Sequence, residues 1–515
     1  MFENENTFIR MSERKEEAKF HETYEKALED VKGFFDHEYP NIAGKEIIEK
    51  EKISDISPID GKKIATFQMA SEESISRAID LLSSGYRVWY GRGYVERSRI
   101  ILKCADAMSA MKFQFAALLA YEHGKNRMEA MGDVDEAIDF LRYYALNLVE
   151  NSGFDRFIGK AYKNEESRSI MKPYGVFAVI APFNFFSITV GMVAGPLVVG
   201  NSVLLKPSSD IPLSSYLYVK LLLDNGVPPD VISFVSGSGS RIGKVIYESD
   251  RIAGVVFTGS RKVGMDIYHN ATKRYPKVVV TEMGGKDVII VTEKSDLQKA
   301  VEGVARAAFG YAGQKCSACS IVMVQDGIYD RFEKELVRYT SAIVSGDPRK
   351  KETFLNPIIN AEAFEKYRKL VEKLPSEGTV ITGGKTADKP GYYVEPTIIS
   401  GVRWDSFVIQ EEHFLPVLAV TKFSRLEEAV SRINTLEYGL TGGIFSEDQG
   451  EIEYYFSHAD VGVLYANRRR GGSTGAMVGS QPFVGWKMSG STGKGTGSFY
   501  YLQQFLREQS ITIAH

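Results

Sequence analysis

Cysteine is scarce: 515 residues contain three, Cys104, Cys316 and Cys319. So few exclude a disulfide framework and suit a reducing compartment, so a cytoplasmic setting is expected. An excess of one charge is lacking too. The 63 basic and 66 acidic side chains leave a net charge of −3, which gives no reason to expect nucleic acid or a membrane as partner. The first residues are dense in charge and hold no apolar core of a secretory signal. One long stretch, 175–205, is free of charge, yet it contains Pro182, Pro196, Asn184 and Asn201. It reads as strand, loop, helix and strand of a buried core, not as a membrane span. No internal repeat is present and no metal-ligating set is expected. What remains is a globular composition, 44% hydrophobic and 25% charged, long enough for two or three domains.

Periodicity then orders the chain. Helical patterns cover 19–34, 73–84, 96–111, 113–123 and 127–150, with short strands over 42–69. A hairpin expected over 157–171 precedes an alternation of apolar strands at 176–180, 202–206, 231–235 and 254–257 with helices at 187–199, 212–224, 240–248 and 261–272. Val278 to Glu282 closes the series. This spacing predicts a parallel, doubly wound Rossmann-type sheet with ligands at its carboxyl edge. A second α/β unit follows from Lys286 to about Gly479, and 509–514 is again β-like.

Chemistry concentrates at a few places. Cys316 follows Gly313-Gln314-Lys315; alone, such a cysteine is more often a small buried hydrophobe. With Cys319 it matches C-x-x-C, but the thioredoxin-like context of a redox motif is absent. Upstream lie Glu282, in Thr281-Glu282-Met283-Gly284-Gly285-Lys286, and Asn184, in Ala181-Pro182-Phe183-Asn184-Phe185. A thiol, a carboxylate base and an amide donor are what oxidative acyl transfer from an aldehyde requires. Gly237-Ser-Gly239-Ser-Arg-Ile-Gly243 imitates a dinucleotide fingerprint, with one residue too many and after a later strand. Gly259-Ser260 before a helix is an ordinary cap when read alone. Lys206-Pro207-Ser208-Ser209 closes a buried strand, and Gln410-Glu411-Glu412-His413-Phe414-Leu415-Pro416 holds a glutamate pair that also suits a solvated helix end.

Taken together and in this order, these motifs resemble the aldehyde dehydrogenase family over nearly the whole chain. The resemblance implies Cys316 as nucleophile, Asn184 with the Cys316 backbone N–H as oxyanion donors, hydride transfer to a nicotinamide, and Glu282 as the base that hydrolyses the thioester. It places the cofactor NAD against Pro182, Phe183, Lys206, Ser209, Gly259, Ser260, Glu412 and Phe414. Many relatives carry Glu where Ser209 stands, so NADP acceptance stays open. Glu282 argues against a coenzyme A acylating relative. Leu415 replaces a usual Gly, so a narrowed cofactor entry or a shifted Phe414 is expected.

The stretches 313–318 and 473–483 resemble the branch of that family that oxidises glutamate γ-semialdehyde. An α-carboxylate needs donors, which Ser317, Gly475 and Ala476 are expected to supply. Phe185 and Phe483 would pack on the methylenes, and Glu136 would meet the ammonium, unless it is an exposed helix charge. Phe183, Val484 and Trp486 depart from the usual pattern, and Arg468-Arg469-Arg470 reads as a carboxylate lure or a solvated turn. Succinate or aminoadipate semialdehyde, and a non-catalytic protein on the same scaffold, are the alternatives. The implied architecture is an NAD-binding domain with a helical N-terminal lead (1–154 and 173–285), a catalytic domain (286–480), a return to the cofactor domain (481–495) and oligomerisation segments (155–172 and 496–515). The last of these pairs with a neighbouring subunit in the family, so a homo-oligomer acting on a small aldehyde is expected.

Overall fold

The computed structural model describes residues 2–469 and 477–515. Its first sheet grows outward from Val176–Ile180. On one side run Ser202–Lys206 and Ile232–Phe234, on the other Ile252–Thr258 and Val278–Glu282, all parallel. These strands are near-continuous buried runs of Val, Ile, Leu and Phe, as a sheet covered on both faces demands. Asn41–Ala43 and Lys45–Ile47 extend the sheet antiparallel beyond Ile232–Phe234. Strand order reverses between Val176–Ile180 and Ile252–Thr258, so a crevice opens at their carboxyl ends.

The helical lead is longer than its pattern suggests. The helix expected over 73–84 spans Glu72–Gly91. Gly85 does not terminate it; a Cβ there would overlap the Asp230 carbonyl, so the glycine permits close approach of helix and loop. Gly93–Ala110, Lys112–Glu122 and Arg127–Glu150 follow. The last is started by Asn126, whose side chain accepts from the N–H groups of Met128 and Glu129.

Four residues, 283–286, carry the chain from the carboxyl end of the first sheet at Glu282 to the amino end of the second at Asp287. That sheet has seven strands in the order Thr379–Thr382, Thr397–Ser400, Val417–Phe423, Cys319–Gln325, Asp287–Val291, Thr441–Phe445 and Val463–Ala466, with only the first antiparallel. The carboxyl edge of one sheet therefore faces the amino edge of the other across the crevice. A third sheet joins Arg156–Gly159, Glu165–Pro173 and Leu506–Ala514, all antiparallel. The closing strand pairs with its own chain, from Leu506 opposite Pro173 to Ala514 opposite Glu165. A hairpin and a nearby chain end bring these β-rich runs side by side, which leaves the outer edges of Leu506–Ala514 and Arg156–Gly159 unpaired among the described residues. No helix among the described residues is long and apolar enough to cross a membrane.

Candidate active site

Two of the predicted loops lie at the strand-order switch point. Val176–Ile180 runs into Ala181-Pro182-Phe183-Asn184-Phe185, and Ile252–Thr258 into Gly259-Ser260. Asn184 is 5% exposed, and its Nδ2 donates to the Gln314 carbonyl at 3.2 Å, which ties this loop to the one bearing Cys316. A primary amide has two N–H groups, so one remains for another acceptor. Glu282 ends the adjacent strand.

The turn before Cys316 is held in an unusual backbone. Tyr311, Ala312 and Gly313 have φ of 50°, 52° and 69°. For the two non-glycines this costs free energy that surrounding contacts must offset. At Gly313 a Cβ would sit 2.5 Å from the Leu415 carbonyl, and at Gly285 it would overlap the Cys316 carbonyl, so both glycines are there for close approach. Cys316 is partly exposed, whereas Cys319 is 2% exposed and its thiol lies 3.3 Å from the Ile321 carbonyl of its own strand. All three cysteines are free thiols. Burial, then the carboxylates of Asp287, Glu412 and Glu282, pushes the Cys316 thiol well above its usual range. Burial likewise pushes Glu282 well up, against one backbone N–H from Gly485. Both shifts favour the protonated form, of the thiol as of the acid. Phe483, buried with Leu440 and Val463, packs against Cys316.

Behind both loops stands a group of charges that sequence reading missed. Lys125 and Asp133 have fully buried side chains and pair at 2.7 Å. The Lys125 ammonium lies 3.9 Å from the Phe185 ring centroid and 4.6 Å from that of Tyr311, a desolvated cation between two aromatic faces. Asp133 also accepts from the N–H groups of Phe186 at 3.0 Å and Ser187 at 2.8 Å, the start of helix Phe186–Val198. Burial works against the Asp133 charge, yet Lys125 holds its carboxyl below the usual range. One turn earlier Glu129 pairs with Lys315 at 2.8 Å. A signal existed: Glu129, Asp133 and Glu136 recur at helical spacing on one face of Arg127–Glu150. Glu136 is no exposed helix charge. It is half-buried, accepts from Ser187 Oγ at 2.9 Å, and is pushed up to about 8 by burial and by Asp133.

The predicted cofactor residues line the same crevice. Ser260 caps helix Arg261–Asn270 through Val263 N–H. Buried Lys206 donates to the Pro207 carbonyl at 2.7 Å; burial lowers it to about 8, opposed by Asp210. Ser209 is half-buried beside it. Glu412 accepts from Gly285 N–H at 3.0 Å, and Gly284 has no room for a Cβ because the Glu412 carboxylate fills it. Burial raises Glu412 to about 7. The Phe414 ring meets Phe183 edge-on at 5.7 Å. Of the two expectations for Leu415 the narrowed entry is corrected, because its side chain is buried in the core of the second sheet, while Phe414 before it takes φ 59°. The glycine decoy backs onto Met69 and Ala70, with Gly237 at φ +138°, away from the switch point.

At the far end, Ser317 is buried and its carbonyl lies 3.5 Å from Thr441 Oγ1. Arg469 pairs with Glu302, and Arg468 lies over the Tyr465 ring at 5.8 Å, so neither is a free lure. Trp486 is exposed. Gly475 and Ala476 lie outside the described residues.

Comparison with known proteins adds three findings. Residues 47–511 match the model of the aldehyde dehydrogenase family. The chain is 36% identical over 499 residues to a 1-pyrroline-5-carboxylate dehydrogenase of Geobacillus sp. (strain WCH70), covering 95% of each, and 36% identical over 504 residues to 1-pyrroline-5-carboxylate dehydrogenase 2 of Bacillus subtilis (strain 168), covering 96% of each. Among solved structures it is similar to the 1-pyrroline-5-carboxylate dehydrogenase from Thermus with bound NAD, at TM-score 0.94 and 34% identity, covering 100% of this chain and 99% of that one.

Proposed function

The chain belongs to the aldehyde dehydrogenase family, and from that premise we propose that it oxidises L-glutamate γ-semialdehyde, the open form of Δ1-pyrroline-5-carboxylate, to L-glutamate with NAD in proline degradation. It is an enzyme, and the observation that carries the reaction is the bond from Asn184 to the Gln314 carbonyl, two residues before Cys316, in a crevice that also holds Glu282.

We assign the steps as follows. Cys316 Sγ gives up its proton to solvent and bonds to the aldehyde carbon, while the carbonyl electron pair moves onto oxygen. Asn184 Nδ2–H and the Cys316 N–H receive that oxyanion, each donor supplying about 3 kcal/mol to the barrier. NAD, when bound, is the two-electron oxidant that leaves a thioester on Cys316. Glu282, once ionised, takes a proton from water, whose oxygen attacks the thioester carbonyl. The carbon–sulfur bond breaks and the leaving sulfur takes the proton held by Glu282, which restores both the thiol and the carboxylate. The crevice fits a dinucleotide: Lys206 presents an ammonium bonded only to a carbonyl, Ser260 stands exposed at a helix N-terminus, and Glu412 is fixed at the carboxyl end of the first sheet. Lys206 and Ser209 would hold the adenosine ribose, Gly259 and Ser260 the pyrophosphate, and Glu412, Phe414, Pro182 and Phe183 the nicotinamide side.

The substrate's α-carboxylate we assign to Ser317, Gly475 and Ala476, its methylenes to Phe185 and Phe483, and its ammonium to Glu136. We place the enzyme in the cytoplasm. We also assign the sheet closed by Leu506–Ala514 to contact between subunits, since Phe157, Ile158 and Ile513 are exposed on it. The test is the initial rate of NADH formation with pyrroline-5-carboxylate and with succinate semialdehyde, in the native enzyme and in Cys316→Ala. Turnover that depends on Cys316 and favours pyrroline-5-carboxylate is expected. Equal rates on both aldehydes refute the substrate, and activity without Cys316 refutes the mechanism.

A further inference from the structure

Glu282 ends the outermost strand of the first sheet, Val278–Glu282, whose far edge carries backbone groups that no further strand of that sheet pairs among the described residues. A loop from late in the chain covers that edge instead. Met283 N–H donates to the Ser489 carbonyl at 2.8 Å, and Ser491 N–H to the Thr281 carbonyl at 3.1 Å. The Ser491 hydroxyl fills the remaining places: Oγ accepts from Thr281 N–H at 2.9 Å and donates to the Val279 carbonyl at 3.1 Å. One serine side chain thus stands in for a residue of a paired strand.

The same loop is bound on its other side to the segment before the strand Thr441–Phe445 of the second sheet. Trp486 and Lys487 pair antiparallel with Gly439 and Tyr438, and Met488 N–H donates to the Glu437 carbonyl at 3.1 Å. Buried Ser489 accepts from Gly439 N–H through Oγ at 3.2 Å. The loop has no slack. A Cβ at Gly485 would lie 2.3 Å from the Ser489 carbonyl oxygen, and one at Gly490 2.7 Å from that of Gly485. Phe483 and Thr496 exchange both backbone bonds, at 3.0 and 2.8 Å, which separates the loop from the tight turn at 477–481. In that turn Met477 and Gln481 do the same, and Asn4, on an arm from the amino end, donates through Nδ2 to the Val478 carbonyl at 3.1 Å.

Two residues after Phe483, which packs on Cys316, the Gly485 N–H meets the Glu282 carboxylate. Oε2 of that carboxylate is buried with no partner among the described residues. A carboxylate held at one oxygen and open at the other is arranged to take a proton from a water placed there. We propose that the loop 485–491 fixes Glu282 for hydrolysis of the thioester, with Ser491 as the positioning residue that keys the loop to the strand. This rests on the reading of Glu282 as the hydrolytic base. Among the described residues the Ser491 hydroxyl bonds only to the strand, so attack by the thiol should proceed without it.

The experiment uses p-nitrophenyl acetate, which acylates Cys316 with release of nitrophenolate and needs no cofactor. Enzyme in excess over the ester gives the acylation rate. Loss of the acetyl group from the isolated acyl-enzyme, followed by intact mass, gives the hydrolysis rate. Ser491→Ala removes two hydrogen bonds, so hydrolysis should slow roughly tenfold while acylation keeps its native rate. Ser489→Ala, which loses one, should slow hydrolysis by less, and Ser491→Thr, which keeps the hydroxyl, should restore it. A fall in both rates together, or a lower melting temperature with hydrolysis unchanged, overturns the proposal and gives Ser491 to the fold alone. Glu282→Gln separates this from the reading beneath it. If that variant hydrolyses the acetyl-enzyme at the native rate, Glu282 is not the base and that reading falls, with the proposal. If it is slow and Ser491→Ala is not, only the proposal falls.

Discussion

The two ends of the site are held in place by different means. Around Cys316 and Asn184, charges form the frame: Lys125 with Asp133, fully buried, and Lys315 with the partly buried Glu129, clamp both loops to one helix. Around the turn 477–481 the frame is a set of neutral backbone bonds and an arm from the surface. A buried ion pair tolerates almost no displacement, since each partner is uncompensated once the other moves. The thiol and the oxyanion donor need that rigidity, because misplacement of reacting groups by about 1 Å costs about a hundredfold in rate. Recognition of the far end of a substrate needs less. A segment held by its edges can change without unsettling the chemistry.

The strongest test of this contrast is to break the clamp. Asp133→Ala leaves the Lys125 ammonium buried and unpaired, which should cost about 3–5 kcal/mol of stability and most of kcat. Lys125→Met with Asp133→Leu should restore stability, as apolar replacement of a buried pair often does. It should not restore kcat, because the N–H groups of Phe186 and Ser187 still lack their acceptor. Urea unfolding and propanal oxidation measure the two; recovery of both would mean that the charges serve the fold alone.

The interior end should also titrate abnormally. The Cys316 thiol is held well above its usual range, so its thiolate fraction grows about tenfold per pH unit up to that raised value. Alkylation of the free enzyme by iodoacetamide should therefore accelerate about a hundredfold from pH 7 to 9 with no plateau. A plateau near pH 8 would show that burial and the surrounding carboxylates do not govern the thiol. Cys104 is buried and pushed up to about 12, so it does not compete.

The contrast also separates what the sequence disclosed from what it hid. Strand positions of the first sheet were legible because fully buried parallel strands are unbroken apolar runs, and the order of Asn184, Glu282 and Cys316 followed from their motifs. The reach of Glu72–Gly91 past Gly85 was hidden, because a glycine that allows close approach looks like one that ends a helix. Lys125 was hidden for a similar reason. Its neighbours Gly124 and Asn126 mark a helix start, and nothing local distinguishes a lysine enclosed by Phe185 and Tyr311 from one in water. Leu415 was misjudged because its direction depends on a backbone turn at Phe414, at φ 59°, that no pattern announces.

A smaller effect is expected at Glu136, on the clamp helix but assigned to the substrate's ammonium. Its carboxyl is raised to about 8, so it is mostly neutral at pH 7 and gains charge as pH rises through 8. KM for pyrroline-5-carboxylate should therefore fall between pH 6.5 and 8.5, while that for propanal stays flat. Glu136→Gln should remove the difference and raise KM about tenfold, the loss of one charge-assisted hydrogen bond. A flat profile in the native enzyme would assign Glu136 to the interior frame with Asp133.

The smallest effect tests which of the two regimes governs the cofactor end. Ser209 carries no charge to repel a 2′-phosphate, but Asp210 raises buried Lys206 against the larger effect of burial, and Asn360 Nδ2 donates to its carboxylate at 2.9 Å. A fixed negative charge beside the ribose partner should repel a phosphate even without a glutamate at 209. The native enzyme should therefore prefer NAD, and Asp210→Asn should move the ratio of kcat/KM toward NADP by only about threefold, since the site is partly solvated and screened. The shift should shrink in high salt, as it must if it is a through-space field. An unchanged ratio would leave cofactor choice to Ser209 and its immediate contacts, and would place the adenosine end with the edge-held regions that can change one residue at a time.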